Sequence, residues 1–191
     1  MFADLIATPG VEELHRDGAG VGVMAIHGGI EEGTDSIAHA VTAATGAALY
    51  TVVQPETLRW HVPSIRFDPA HSKRLRRFLD SVETTVSLHG YGEPGLEATA
   101  LLGGNNRALA WAIHGELAAR GVRAIADLDG IPQRLRGIHR LNPVNRPPLA
   151  GTQVELPMEL RQGRPMQAVI EALVAAVGNA IAHLAGETTT G

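Results

Sequence analysis

Two histidines stand at matching places in the chain. The apolar run Val21-Gly22-Val23-Met24-Ala25-Ile26 ends on His27 and Gly28, and Thr84-Thr85-Val86-Ser87-Leu88 ends on His89 and Gly90. Both runs read as buried strands, and ligands of open α/β sheets bind outside the carboxyl ends of strands. Glu31 lies four residues after His27, beyond a Gly28-Gly29 turn that lets the chain fold back. Two imidazoles and one carboxylate, with a fourth position left to water, are a set that catalytic zinc takes. The glycines after each histidine suit a crowded pocket. A single histidine at a strand end equally serves as a polar terminator or a hydrogen-bonded core residue; the metal reading comes from the pair and the nearby carboxylate together.

A second group is "TQVELPMELR", residues 152–161. Glu155 lies between Val154 and Leu156, so in a strand it faces away from both. It suits a general base that activates a water, and it suits equally an edge-strand residue facing solvent. Arg161 suits an anionic substrate group or a carboxylate partner. A third group is "GIHRLNPVNRPP", residues 137–148, where Asn145 and Arg146 offer planar donors for a carboxylate and His139 and Arg140 add more; a solvated basic loop has the same composition. Ser87 precedes His89 on its strand and is expected to point away from it. His15, His71 and His183 have helical or surface contexts, and His39 and His114 fall within helices.

Other chemistries are excluded by pattern. There is no Cys among the 191 residues, so there is no disulfide, thiolate site or cysteine nucleophile. "GAGVGV" (18–23) begins a strand where a dinucleotide loop would follow one. No G-x-S-x-G elbow and no H-E-x-x-H helix is present. The formal net charge is −4 and the arginines are scattered, which speaks against nucleic acid. No run of 18 uninterrupted apolar residues predicts a membrane span. The N-terminus lacks the pattern of a signal peptide, giving the expectation of a cytoplasmic location or release by lysis. Oligomeric state is not legible.

The elements that must position these residues alternate between strand and helix. Strands are expected at 20–26, 48–53, 84–90, 99–104, 122–128 and 152–157, with 57–62 a weaker edge strand. Helices are expected at 34–45, 69–82, 105–121 (with an Asn cap) and 165–186. Hydrophobic residues make up 45% and charged ones 19%, enough for one domain over 1–191 with a core at about 20–184 and less ordered termini. "ETTTG" reads as a frayed tail. The alternation predicts an α/β architecture with a central, largely buried sheet. Residues 129–151 are too long for an idle connection and are a candidate functional loop.

The segments "AIHGGIEEGT", "SIRFDPA", "VSLHGYG", "LLGGNNRALAWAI" and "NPVNRPPLAGTQVELPMELR" resemble those of phage-type poly-γ-glutamate hydrolases. These are small zinc enzymes related in fold to the zinc carboxypeptidases. The resemblance covers about residues 20–180; its specific parts are His-Gly-Gly with Ile-Glu-x-Gly-Thr, and Gln-x-Glu-Leu with Leu-Arg. It implies a three-layer sandwich with a mixed, mostly parallel central sheet, Zn2+ held by His27, Glu31 and His89, and Glu155 as general base. The family usually has one more residue between the paired glycines and the Ile-Glu. Glu32 therefore restores the spacing and Glu31 the helix-side context, and the context favours Glu31. The implied reaction is amide hydrolysis of an anionic glutamyl polymer or peptide, with Arg66, Asn145, Arg146 and Arg161 as substrate contacts, Arg107 as a further cation and His61 near the site. The alternatives are the same chemistry on cell-wall peptides or N-acyl amino acids, and a glutamyl-polymer-binding protein without turnover.

Overall fold

The computed structural model describes residues 1–188; of the expected tail, residues 189–191 lie outside the described residues. The helices are α1 (Phe2–Ala7), α2 (Thr34–Thr45), α3 (Lys73–Asp80), α4 (Arg107–Ala119) and α5 (Gly163–Thr188). The strands are β1 (Glu12–Arg16), β2 (Ala19–Gly28), β3 (Ala47–Val53), β4 (Thr84–Tyr91), β5 (Thr99–Leu102), β6 (Arg123–Ile125) and β7 (Gly151–Pro157). They form one mixed sheet in the order β1-β3-β2-β4-β7-β5-β6. The β3-β2-β4-β7 centre is parallel, while β1 on β3 and β5 on β7 are antiparallel.

Alternation along the strands divides the core into two layers. Val21, Val23 and Ala25 of β2 pack on one face with Ile37 and Val41 of α2, Ile113 of α4, and Leu173 and Val177 of α5. Met24 and Ile26, one residue out of step, pack on the other face with Phe2 and Leu5 of α1 and with Leu75 and Phe78 of α3. This is the α/β sandwich with helices on both faces. By length and composition α5 is apolar enough to cross a membrane; here its Val169, Ala172, Leu173, Ala176 and Val177 are buried against the sheet layer.

The topology explains where a site can form. From β2 the chain passes through α2 to β3 on one side, then back through α3 to β4 on β2's other side. The two helices lie on opposite faces. The sheet therefore splits at the carboxyl ends of β2 and β4, the crevice where open α/β sheets hold ligands.

Three local expectations change. Residues 57–62 are irregular instead of an edge strand: the Gln54 side chain donates from Nε2 to Trp60 O (2.9 Å) and accepts at Oε1 from Trp60 N (2.9 Å), and Arg59 has φ +42°. The amide of one side chain does there what a neighbouring strand would do. The sheet edge is instead β1, and with α1 it brings residues 2–16 into the fold, Phe2 and Leu5 being fully buried. Helix α3 begins at Lys73, because Ser72 accepts at Oγ from Leu75 N (3.0 Å) and caps it; Pro69 lies in a separate 3₁₀ turn.

Candidate active site

His27 is buried at the end of β2, and the chain reverses at once. Ile30 N and Glu31 N both donate to His27 O, at 3.2 and 2.9 Å. Gly29 makes the reversal possible: its φ is +82°, and a Cβ there would stand 2.1 Å from Gln54 O. The turn folds Glu31 back over His27. Glu32 points elsewhere, into a surface hollow shared with Asp35 and Glu56.

Three potential ligand groups meet at this point. Glu31 Oε1 lies 2.9 Å from His27 Nδ1, and Glu31 Oε2 lies 3.4 Å from His89 Nδ1. The two Nδ1 atoms are 3.2 Å apart. One ligand atom from each residue falls within 4.8 Å of the others. The far side of each ring is also engaged. His27 Nε2 sits 2.8 Å from Val62 O; a carbonyl only accepts, so Nε2 carries a proton and Nδ1 is the nitrogen turned to Glu31. His89 Nε2 lies 3.0 Å from Ser87 Oγ. Ser87 thus faces the same way as His89, contrary to expectation, because residues two apart share a strand face. Outward hydrogen bonds that aim the two inward nitrogens at a carboxylate are the kind of support that metal-ligating histidines receive.

Burial alone would raise the pKa of Glu31, but His89, His27 and His61 outweigh it and hold the carboxyl well below the usual range. Burial lowers the pKa of His89 despite Glu31, favouring the neutral, ligating form. The neighbouring Glu31 carboxylate raises His61, whose Nε2 is 3.7 Å from Glu31 Oε1 and whose ring lies 4.4 Å from that of His27. Gly90 closes the group. Its N–H donates to Glu31 Oε2 (2.9 Å), and a Cβ there would stand 2.8 Å from Arg161 Cζ and 3.0 Å from Glu31 Cβ.

Glu155 stands beside this cluster. It pairs in register with His89 across β4 and β7, and both line a cleft of about 450 Å³ with His27 and Glu31. It lies in the buried centre of the sheet, between β4 and β5, so the solvent-facing edge is not its environment. Burial, then the charge of Glu31, push its carboxyl up to about 8 against the opposing effects of Gln153 and Arg161.

Of the other residues singled out in the sequence, His61 and His139 line the cleft, while Arg66, Arg107, Asn145, Arg146 and Arg161 do not. Arg161 is buried behind Gly90, donating from Nε to Leu156 O (3.0 Å) and from a terminal nitrogen to Glu32 O. Asn145 donates to Gly137 O (2.7 Å) and accepts from Asn105 N (2.9 Å). Arg146 reaches Leu141 O (3.4 Å). Arg107 caps the carbonyls of Leu102 and Gly104 at 3.0 and 3.1 Å. Arg66 is exposed on a 3₁₀ turn beside the rim. The cleft walls come instead from the 129–151 loop, with Arg134, Leu135, Ile138, His139 and Asn142, and from Pro63, Ser64 and Ile65 opposite. Sequence reasoning passed over Gln153, Asn142 and Arg134. Gln153 was within reach of strand parity, sharing a β7 face with Glu155; the loop residues carried no such signal.

The fold and the cluster together define an α/β protein with a candidate metal site at a sheet switch point and a buried carboxyl beside it. The model of the family described as Poly-gamma-glutamate hydrolase matches residues 6–166, so the chain belongs to that family and is a hydrolase. Two solved structures are similar in fold. One is described as a bacteriophage poly-gamma-glutamate hydrolase: TM-score 0.77, 23% identity, covering 90% of this chain and 89% of that one. The other is named YNDL-apo (Zinc-free): TM-score 0.76, 22% identity, covering 90% and 91%. No curated protein matches significantly.

Proposed function

We propose that this chain is a zinc hydrolase of γ-glutamyl amide bonds, with the metal held by His27 Nδ1, His89 Nδ1 and the Glu31 carboxylate, and Glu155 as general base. The observation that carries the reading is the convergence of three donor groups within 4.8 Å at the carboxyl edge of the sheet, with Glu155 on the wall of the same cleft. A set of two nitrogens and one carboxylate suits zinc and leaves a position open for water. Bound there, zinc supplies a Lewis acid that makes a water more acidic and polarises the amide carbonyl.

The protein's own groups do the rest. Val62 O and Ser87 Oγ fix the two rings, so their Nδ1 atoms are aimed before any ligand arrives. Glu155 takes a proton from the water that adds to the carbonyl carbon, and returns it to the amide nitrogen as the C–N bond breaks. Arg134, His139 and His61 place cationic or donor groups on the cleft walls, suited to the carboxylates of a glutamyl chain. Pro63, Ile65, Leu135 and Ile138 add apolar wall. That feature favours a second reading, the same chemistry on an amide flanked by an apolar group, as in a cell-wall peptide or N-acyl amino acid.

The test combines metal content by mass spectrometry with hydrolysis of poly-γ-glutamate. Wild type should carry about one zinc per chain, and His27→Ala should carry none and be inactive. Glu155→Gln should retain zinc while losing activity by roughly 10²–10⁴-fold. Wild type without zinc after reconstitution, or a fully active Glu155→Gln, would reject the mechanism. Cleavage of N-acyl amino acids but not the polymer would select the second reading.

A further inference from the structure

Glu155 is held by a hydrogen-bond relay that the reaction above does not use. Asn142 Nδ2 donates to Gln153 Oε1 at 2.7 Å, and Gln153 Nε2 donates to Glu155 Oε1 at 2.8 Å. All three side chains are buried, at 3%, 5% and 4% exposure. The order of donors is set from the loop end. Asn142 Oδ1 accepts from Val144 N (3.3 Å) where it caps a 3₁₀ turn, so Nδ2 is the end it offers to Gln153. With Oε1 of Gln153 thereby occupied as an acceptor, Nε2 is left for the carboxyl. The loop backbone presses on the same amide: Gly137 has φ +63°, and a Cβ there would lie 2.5 Å from Gln153 Cδ. Free rotation of the Gln153 amide is blocked on one side by packing and directed on the other by Asn142.

We propose that Gln153, oriented by Asn142, is a positioning residue for the hydrolysis, holding Glu155 through Oε1 and leaving Oε2 as the oxygen that exchanges the proton. The proposal rests on the general-base reading of Glu155. The 129–151 loop thereby acts twice, walling the cleft and setting the rotation of the base. A carboxyl free to turn would spend much of its time with neither lone pair aimed at the attacking water, and misplacement of a reacting group by about 1 Å costs about 10²-fold.

Two variants of the zinc-loaded enzyme test this on poly-γ-glutamate. Gln153→Met keeps the length of the side chain and removes its hydrogen bonds to Asn142 and Glu155, with the long one to Leu135 O (3.5 Å). Asn142→Asp replaces the donor by an acceptor, so the Gln153 amide must turn over and set Oε1 against Glu155. Each should lower kcat by about 10–100-fold, the usual effect of losing such a supporting partner, with KM within about threefold and zinc content and melting temperature retained. Adding Gln153→Met to Glu155→Gln should cost nothing more, since the group being positioned is gone. An unchanged kcat, or a raised KM with kcat kept, would overturn the proposal, the latter making Gln153 a substrate contact. If neither variant folds, the relay belongs to the fold and the proposal fails. A fully active Glu155→Gln would instead strike the general-base reading itself, whatever Gln153→Met does.

Discussion

Glu155 has the surroundings of a carboxyl that keeps its proton. Burial and the Glu31 charge push it up to about 8, above its ordinary value of 4.5. Without metal the folded protein then holds a proton that the unfolded chain releases, so this group's stabilisation is full below about pH 4.5 and is lost as pH rises through 8. Glu155→Gln cannot ionise and should remove that loss. In chelator, denaturant unfolding should show the variant gaining on wild type by a few kcal/mol from pH 5 to 8; parallel curves would contradict it. A cation held by Glu31 reverses the sign of the neighbouring charge, so zinc loading of wild type near pH 7 should release more protons than loading of Glu155→Gln, as calorimetry in buffers of different ionisation enthalpy reads. Gly90 is a steric test of the same spot. In Gly90→Ala the new methyl meets Glu31 Cβ and the Arg161 guanidinium, and the variant should lose about 1–3 kcal/mol of stability and bind zinc more weakly. At this scale the histidines were legible because two apolar strands end on the same His-Gly pair and a carboxylate follows the first of them. The arginines were not: a guanidinium that caps backbone carbonyls, as Arg161 and Arg107 do, has the same letter as one facing substrate.

Elements carry information the residues lack. The Asn cap of α4 was readable from sequence, and Asn106 fills it, accepting at Oδ1 from Leu109 N (3.0 Å) while Nδ2 donates to Thr84 Oγ1 (3.1 Å). Asn106→Ala should cost about 1–2 kcal/mol, seen as a lower unfolding midpoint, with kcat on poly-γ-glutamate unchanged because Asn106 is remote from the cleft lining. The central strands were legible for a simple reason: buried on both faces, they are long apolar runs. The edge was not. Residues 57–62 have the better strand composition, yet Gln54 and the flanking Pro55 and Pro63 keep them out of the sheet, while charged Glu12–Arg16 enters it by pairing with β3. Edge membership depends on a partner elsewhere in the chain, and the pattern of one segment does not record it.

For the whole molecule, the metal reading makes stability conditional. A ligand that binds only the folded state adds about 2.7 kcal/mol at a hundredfold excess over its Kd. Zinc should therefore raise the melting temperature of wild type and leave His89→Ala unmoved; equal shifts in both would place the metal elsewhere. The overall architecture was readable because alternating strands and helices admit few arrangements. The antiparallel insertion of β5 beside β7 was not, since strand order is decided by which apolar faces finally meet.

The order of the strands also sets a timetable. His27 and Glu31 are neighbours in the chain, and His89 joins them as soon as β4 lies beside β2. Glu155 arrives on β7, which takes its place next to β4 only after β5, α4 and β6 have been made. On the proposed reading, a growing chain thus has its three donors before it has the carboxyl assigned as base. During synthesis, a grip on metal is expected to come first, and the capacity to cut an amide only when the last strand closes the sheet.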